Sequence, residues 1–165
     1  MFLFAFSTFA RIGELVAVRD IPQEHILQLN DASLTYVQGE AKQIVVSFRK
    51  FKHDIKEGAK VIRFTDENTG TSESAIESLV RFLQLRTKLP GPLFCFTTEH
   101  PVARSYFDKI LHKCIDLCHL DSSKYKGHSF RIGAATAAAE RGWSDSRIRE
   151  AGRWKSNVFR KYIRP

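Results

Sequence analysis

The chain opens on an apolar run, Met1-Phe2-Leu3-Phe4-Ala5-Phe6, that leads directly into Arg11 and Glu14. This pattern predicts a buried helix over about residues 2–18. Proline disfavours helix in the residue before it, so Asp20-Ile21-Pro22 breaks the run. Three short β-rich stretches follow, at residues 34–37, 43–48 and 60–64. The segment from Lys50 to Gly58 turns between the second and third. After Gly70 the period changes. Ile76, Leu79, Val80 and Leu83 repeat at helical spacing, with Ser72 or Ser74 as the cap. Pro90-Gly91-Pro92 closes that helix, and Pro101 is placed to open the next. Residues 129–141 are alanine-rich and helical, and Gly142 suits a C-terminal stop. Ser144 or Asp145 caps a short helix through Glu150, and a last one starts near Ser156. The expected fold is α+β, mostly helical, with a small three-stranded antiparallel sheet near the N-terminus.

A length of 165 residues fits one domain with its own core, and no linker or repeat divides it. Hydrophobic residues at 43% and charged residues at 27% place it among soluble globular proteins. The apolar start lacks a basic leader and is too short to span a membrane, so it reads as a core helix entered partway along. The chain is therefore expected to be a fragment. A net charge of +8 favours a polyanionic partner, nucleic acid first.

Three cysteines, an odd number, argue against a disulfide framework and for a reducing, intracellular compartment. Cys114 and Cys118 lie near His112 and His119, which makes a metal site conceivable. The spacing of Phe107, Ile110, Leu111, Cys114, Leu117 and Cys118 instead reads as one apolar helical stripe. Small buried thiols on a core helix are the reading adopted.

The chemistry-bearing residues stand at the two ends of the chain. Arg11 lies in Arg11-Ile12-Gly13-Glu14-Leu15. Far downstream come Gly127-His128-Ser129-Phe130-Arg131, Gly152-Arg153-Trp154 and Lys161-Tyr162. His128 and Arg131, three apart on a helix, share a face. Singly, each has an ordinary reading: a surface ion pair for Arg11 and Glu14, a capping or core role for His128, packing for Trp154 and Tyr162. Jointly and in this order, they resemble the catalytic domain of tyrosine recombinases, the phage-integrase family, over nearly the whole chain. Lys52, in Phe51-Lys52-His53-Asp54, resembles the lysine of that family's β-hairpin, with Lys50 and Lys56 as rivals. Trp154 stands where the family carries histidine or tryptophan, and Tyr162 matches its nucleophile. The ending Arg160-Lys161-Tyr162-Ile163-Arg164-Pro165 resembles integrases of eukaryotic tyrosine-recombinase mobile elements.

These residue types suit phosphodiester cleavage. Arginine is planar, always charged and can clamp two oxygens. Arg11 and Arg131 form the expected clamp, which stabilises charge as it develops and needs no divalent ion. A phenol with an ordinary pKa of about 10 needs a base or a strong positive field. His128 is the base or a phosphate donor, Lys52 the acid for the leaving 5′-hydroxyl, and Trp154 a phosphate donor through its indole N–H. The resemblance implies a 3′-phosphotyrosyl intermediate that stores bond energy, with no cofactor, metal or ATP.

The partners implied are double-stranded DNA and other recombinase protomers in a synaptic complex, with no membrane and no small-molecule substrate. Phosphate contacts are expected from Lys50, Lys124, Lys126, Arg153, Lys155 and Arg160, with Arg147 and Arg149 nearby. The implied location is the nucleus of a eukaryote, otherwise the cytoplasm or nucleoid. Two features of the family have no counterpart in the sequence. These are a DNA-clamping domain ahead of this one and a docking helix after the tyrosine. The rival functions are a catalytically silent DNA-binding remnant of a mobile element and strand relaxation of the type IB topoisomerase kind.

Overall fold

A computed structural model of the chain describes residues 1–19, 25–48, 59–66, 73–96 and 100–163. Helix α1 spans Phe2–Ser7. It ends because Phe9 turns left-handed, with φ 51°. The Thr8 and Ala10 N–H groups bond back to the Phe4 and Ala5 carbonyls, at 2.9 and 3.1 Å. A left-handed residue is usually glycine. Here the Phe9 ring is held between Trp143 and Trp154, each 6.2 Å away between centroids, and this packing fixes the conformation. After Arg11 the chain resumes as a 3-10 turn, Ile12–Glu14. The single helix expected over 2–18 is thus two pieces. The break expected at Asp20-Ile21-Pro22 lies outside the described residues.

The sheet is as expected. Strands β1 (Ala32–Val37), β2 (Glu40–Phe48) and β3 (Lys60–Phe64) pair antiparallel in the order β1-β2-β3. Gln38 and Gly39 both have positive φ, 51° and 83°, which suits the twist of a tight hairpin. Ile44, Val46 and Phe48 on β2 and Ile62 and Phe64 on β3 alternate inward. The turn expected from Lys50 to Gly58 lies outside the described residues.

Helix α2 spans Ala75–Leu85, and Ser74 caps it by accepting the Glu77 N–H at 2.8 Å. Ile76 and Leu79 are its buried residues on the predicted stripe. Arg86 closes it by donating to the carbonyls of Leu89, Pro92 and Leu93. Helix α3 spans Arg104–Leu117, so Pro101 does not open it. The intervening backbone is used otherwise. The Val102 N–H donates to the Phe94 carbonyl, and the Val102 carbonyl takes the Ala17 N–H. The buried line on α3 is Phe107, Leu111 and Ile115. Cys114 and Cys118 are exposed, which overturns the expectation of buried thiols. Buried residues step by four, leaving Cys114 at the edge of the stripe and Cys118 at the helix end.

Helix α4 (Gly127–Glu140) lies against α1. Its buried face is small, with Ala134, Ala135 and Ala138. At Gly133 a Cβ would stand 3.2 Å from the Phe6 ring. Gly142, at φ 74°, ends this segment as expected. Helix α5 (Asp145–Ala151) starts from a Ser144 cap, and a 3-10 turn, Asn157–Lys161, delivers Tyr162. All these elements share one core, centred on Phe48, Phe107 and Phe159. Among the described residues, no helix is long and apolar enough to cross a membrane.

Candidate active site

The site forms where α4 begins. A Cβ on Gly127 would fall 2.8 Å from Ile12 Cγ1, so only glycine lets this turn approach the 3-10 turn after Arg11. His128 follows on the exposed rim. One turn on, Arg131 points inward and is only 3% exposed. Its Nη1 donates to the Phe9 carbonyl at 2.7 Å, and its Nη2 donates to the Gly152 carbonyl. Two distant backbone segments therefore aim one guanidinium.

The C-terminal segment closes the site. Trp154 folds back over Gly152, where a Cβ would sit 1.7 Å from the indole Cζ3. The indole lies under Arg131, whose Cζ is 4.2 Å from the ring centroid. Tyr162 stacks on this same indole, 5.9 Å between centroids and 30° between planes. It meets His128 edge to face at 5.0 Å. Thr136 Oγ1, from α4, donates to the Tyr162 carbonyl at 3.3 Å.

Arg11 joins through Glu14. Its backbone N–H donates to Glu14 Oε2 at 2.7 Å, and its Nη1 donates to Oε1 at 3.0 Å. Glu14 is largely buried, and Oε2 also receives Arg153 Nη2 at 2.7 Å. Sequence places Arg153 among the surface phosphate contacts, and the structure does not. Instead its side chain is 2% exposed and its guanidinium lies 3.4 Å over the Phe48 ring.

The charges act on one another. Partial desolvation of the ring at this rim first, then Arg131 and Arg11, hold the His128 pKa below its ordinary value, which favours neutral imidazole. Burial chiefly, with Arg11 and Arg153, lowers Arg131 to about 9, while Glu14 and Tyr162 raise it. Arg131 therefore stays cationic at neutral pH. The arrangement presents a surplus of positive charge, a neutral base and a phenol at one place. That combination can bind an anionic ester and attack it.

Of the residues singled out from sequence, Arg11, His128, Arg131, Trp154 and Tyr162 are drawn into one neighbourhood. Lys50, Lys52 and Lys56 lie outside the described residues. Lys124, Lys126, Lys155 and Arg160 are exposed, and Arg160 pairs with Asp145 through Nε at 2.7 Å. Arg149 is exposed and Arg147 lies over the Trp143 ring, 3.9 Å from its centroid. Among the described residues, no group of three or more His, Cys, Asp or Glu could hold a metal ion. Sequence reasoning missed Gly152, Thr136 and the Phe9 carbonyl as supports. Only Gly152 left a local sign, a glycine two residues before a tryptophan.

The architecture is similar to that of the XerH site-specific recombinase, solved with its difH substrate. The post-cleavage complex aligns over 99% of this chain at TM-score 0.67 and 17% identity. The pre-cleavage complex aligns over 98% at TM-score 0.65 and 19% identity. The Tn1549 transposon integrase, solved with a circular-intermediate DNA, aligns over 99% at TM-score 0.60 and 11% identity. This chain spans 40% of the XerH chain and 53% of the integrase chain. No protein-family model matches the sequence, and no curated protein matches it. The likeness is one of fold: α+β, with the helices and three-stranded antiparallel sheet of a tyrosine recombinase catalytic domain.

Proposed function

We propose that this chain is a tyrosine recombinase catalytic domain that breaks and rejoins DNA in site-specific recombination or integration. The observation that carries the reading is convergence. Arg131 lies over Trp154, Trp154 stacks on Tyr162 and Tyr162 meets His128, while Arg11 acts electrostatically on both His128 and Arg131.

The Tyr162 phenol loses its proton to neutral His128 as its oxygen attacks phosphorus. The bond to the 5′-oxygen breaks, and that oxygen takes a proton from a lysine, assigned to Lys52 with Lys50 and Lys56 as rivals. Arg11 and Arg131 bear the charge that gathers on the non-bridging oxygens. Trp154 packs beneath Arg131 and offers its indole N–H. The product is a 3′-phosphotyrosyl ester, which a second DNA 5′-hydroxyl attacks in the reverse sense. Bond energy is conserved in this ester, so rejoining needs no ATP, and Arg11 and Arg131 take the place of a divalent ion at the phosphate. The partners are double-stranded DNA and further protomers. Lys124, Lys126, Lys155 and Arg160 supply phosphate contacts around the site.

The test uses random-sequence DNA duplexes that each carry one nick, so that the cleaved end is lost and the ester is trapped. A covalent protein–DNA adduct should form in EDTA and disappear in Tyr162→Phe. No adduct from the wild-type chain, or one from the Phe variant, would reject the reading.

A further inference from the structure

We infer that Arg153 is a positioning residue for the phosphate clamp: it takes up the charge of Glu14 inside the protein and leaves Arg11 free to face an anion. The identity of that anion as a phosphodiester rests on the proposed function.

Glu14 stands between two arginines that differ in their surroundings. The Arg11 side chain is 41% exposed, that of Glu14 is 11% exposed and that of Arg153 is 2% exposed. Each carboxylate oxygen accepts from Arg11, at Oε1 through its guanidinium and at Oε2 through its backbone N–H. An arginine paired alone with one carboxylate carries no net charge to offer a ligand. Arg153 changes this balance. Its Nη2 reaches Oε2 at 2.7 Å from the buried side. Three guanidiniums, on Arg11, Arg131 and Arg153, then face one carboxylate, and the surplus is positive.

Arg153 cannot act directly on DNA. Its Cζ lies 3.4 Å over the Phe48 ring, and its guanidinium also donates to the carbonyls of Thr8 and Phe9 at 3.3 and 3.4 Å. Its backbone is left-handed, at φ 54°, and its N–H is tied to the Glu150 carbonyl at 2.9 Å. Burial lowers its pKa to about 10 and Glu14 raises it, so it remains a cation at neutral pH. A buried, immobile cation that touches Glu14 exerts its influence through Glu14.

Inorganic phosphate is the probe, titrated into the whole chain at low salt and followed by calorimetry. The wild type should bind it. Arg153→Met should bind about tenfold more weakly or worse, because Glu14 then neutralises Arg11. Adding Glu14→Gln to Arg153→Met should restore affinity to within about threefold of wild type, the signature of charge rather than packing. Arg153→Lys, which keeps the charge, should lie nearer wild type than Arg153→Met. The inference is overturned if the wild type binds no phosphate, if Arg153→Met binds as wild type, or if the second substitution restores nothing. Should Arg153→Met not fold, the double variant decides alone: wild-type-like affinity supports the inference, and a tenfold loss rejects it. Phosphate binding by a wild-type chain that forms no DNA adduct would reject the recombinase reading and leave this inference standing.

Discussion

The imidazole of His128 meets the phenol ring of Tyr162 edge to face, with centroids 5.0 Å apart and planes at 75°. One comes from the first turn of α4 and the other from the end of the last 3-10 turn. Their approach sets an imidazole beside the phenol that, on the proposed function, it deprotonates, and on that reading the pH response of the protein is predictable.

His128 has its pKa held below 6.5 by partial desolvation, then by Arg131 and Arg11. On the proposed function its neutral form is the active one, so the rate of adduct formation should stay level down to about pH 6.5 and fall below it. The stability term has the same sign. A histidine with a depressed folded-state pKa favours the fold above its unfolded value and loses that contribution as pH falls through the folded value. His128→Gln should flatten the acid side of both curves, measured by single-turnover cleavage and by thermal melting.

Arg131 is held by two carbonyls, so its geometry matters as much as its charge. Lysine is a point charge that cannot make both bonds and still face an anion. Arg131→Lys should slow cleavage by about 10²-fold or more while the chain still folds. A normal single-turnover rate would remove Arg131 from the clamp.

Gly152→Ala places a methyl group where the Trp154 ring now lies. The ring must leave, exposing the underside of Arg131 and the stacking face of Tyr162. The expected loss is about 1–3 kcal/mol of stability by urea titration, with a change in tryptophan fluorescence and loss of adduct.

Ser74 is a contrast far from the site. Its hydroxyl accepts the Glu77 N–H at 2.8 Å and donates to Asp66 at 2.7 Å. Ser74→Ala should remove about 1 kcal/mol by urea titration and leave the cleavage rate unchanged below the melting transition.

The general acid is assigned by replacing Lys50, Lys52 and Lys56 one at a time. A 5′-bridging phosphorothiolate departs without a proton. It should rescue cleavage only in the variant that lacks the acid, and Lys52 is expected to be that position.

What the sequence revealed was whatever is written in short spacings. The helix cap, read as Ser72 or Ser74 and found at Ser74, the Gly142 stop and the three β-rich strands each depend on neighbours a few residues away, and each is found. What it concealed depends on distant packing. Phe9 adopts a glycine-like conformation because two tryptophans, at 143 and 154, surround its ring, and no local rule marks such a phenylalanine. Arg153 looks like any basic residue beside a DNA site until Glu14 and Phe48 are seen waiting beneath it. Cys114 fits an apolar stripe by spacing, yet the burial on α3 follows Phe107, Leu111 and Ile115 and leaves it at the surface. The lysine question lies outside the described residues altogether.

The bonds that aim the site arginines span most of the polypeptide. Arg131 reaches the Phe9 carbonyl across 122 residues, and Arg153 reaches Glu14 across 139 and Thr8 across 145. Such distant closures come late and slowly in folding. On the proposed function, a ribosome-bound nascent chain that has not yet released Arg153 and Tyr162 holds neither nucleophile nor finished cradle. Any strand cleavage then waits until synthesis has passed these residues, a delay built from connectivity alone.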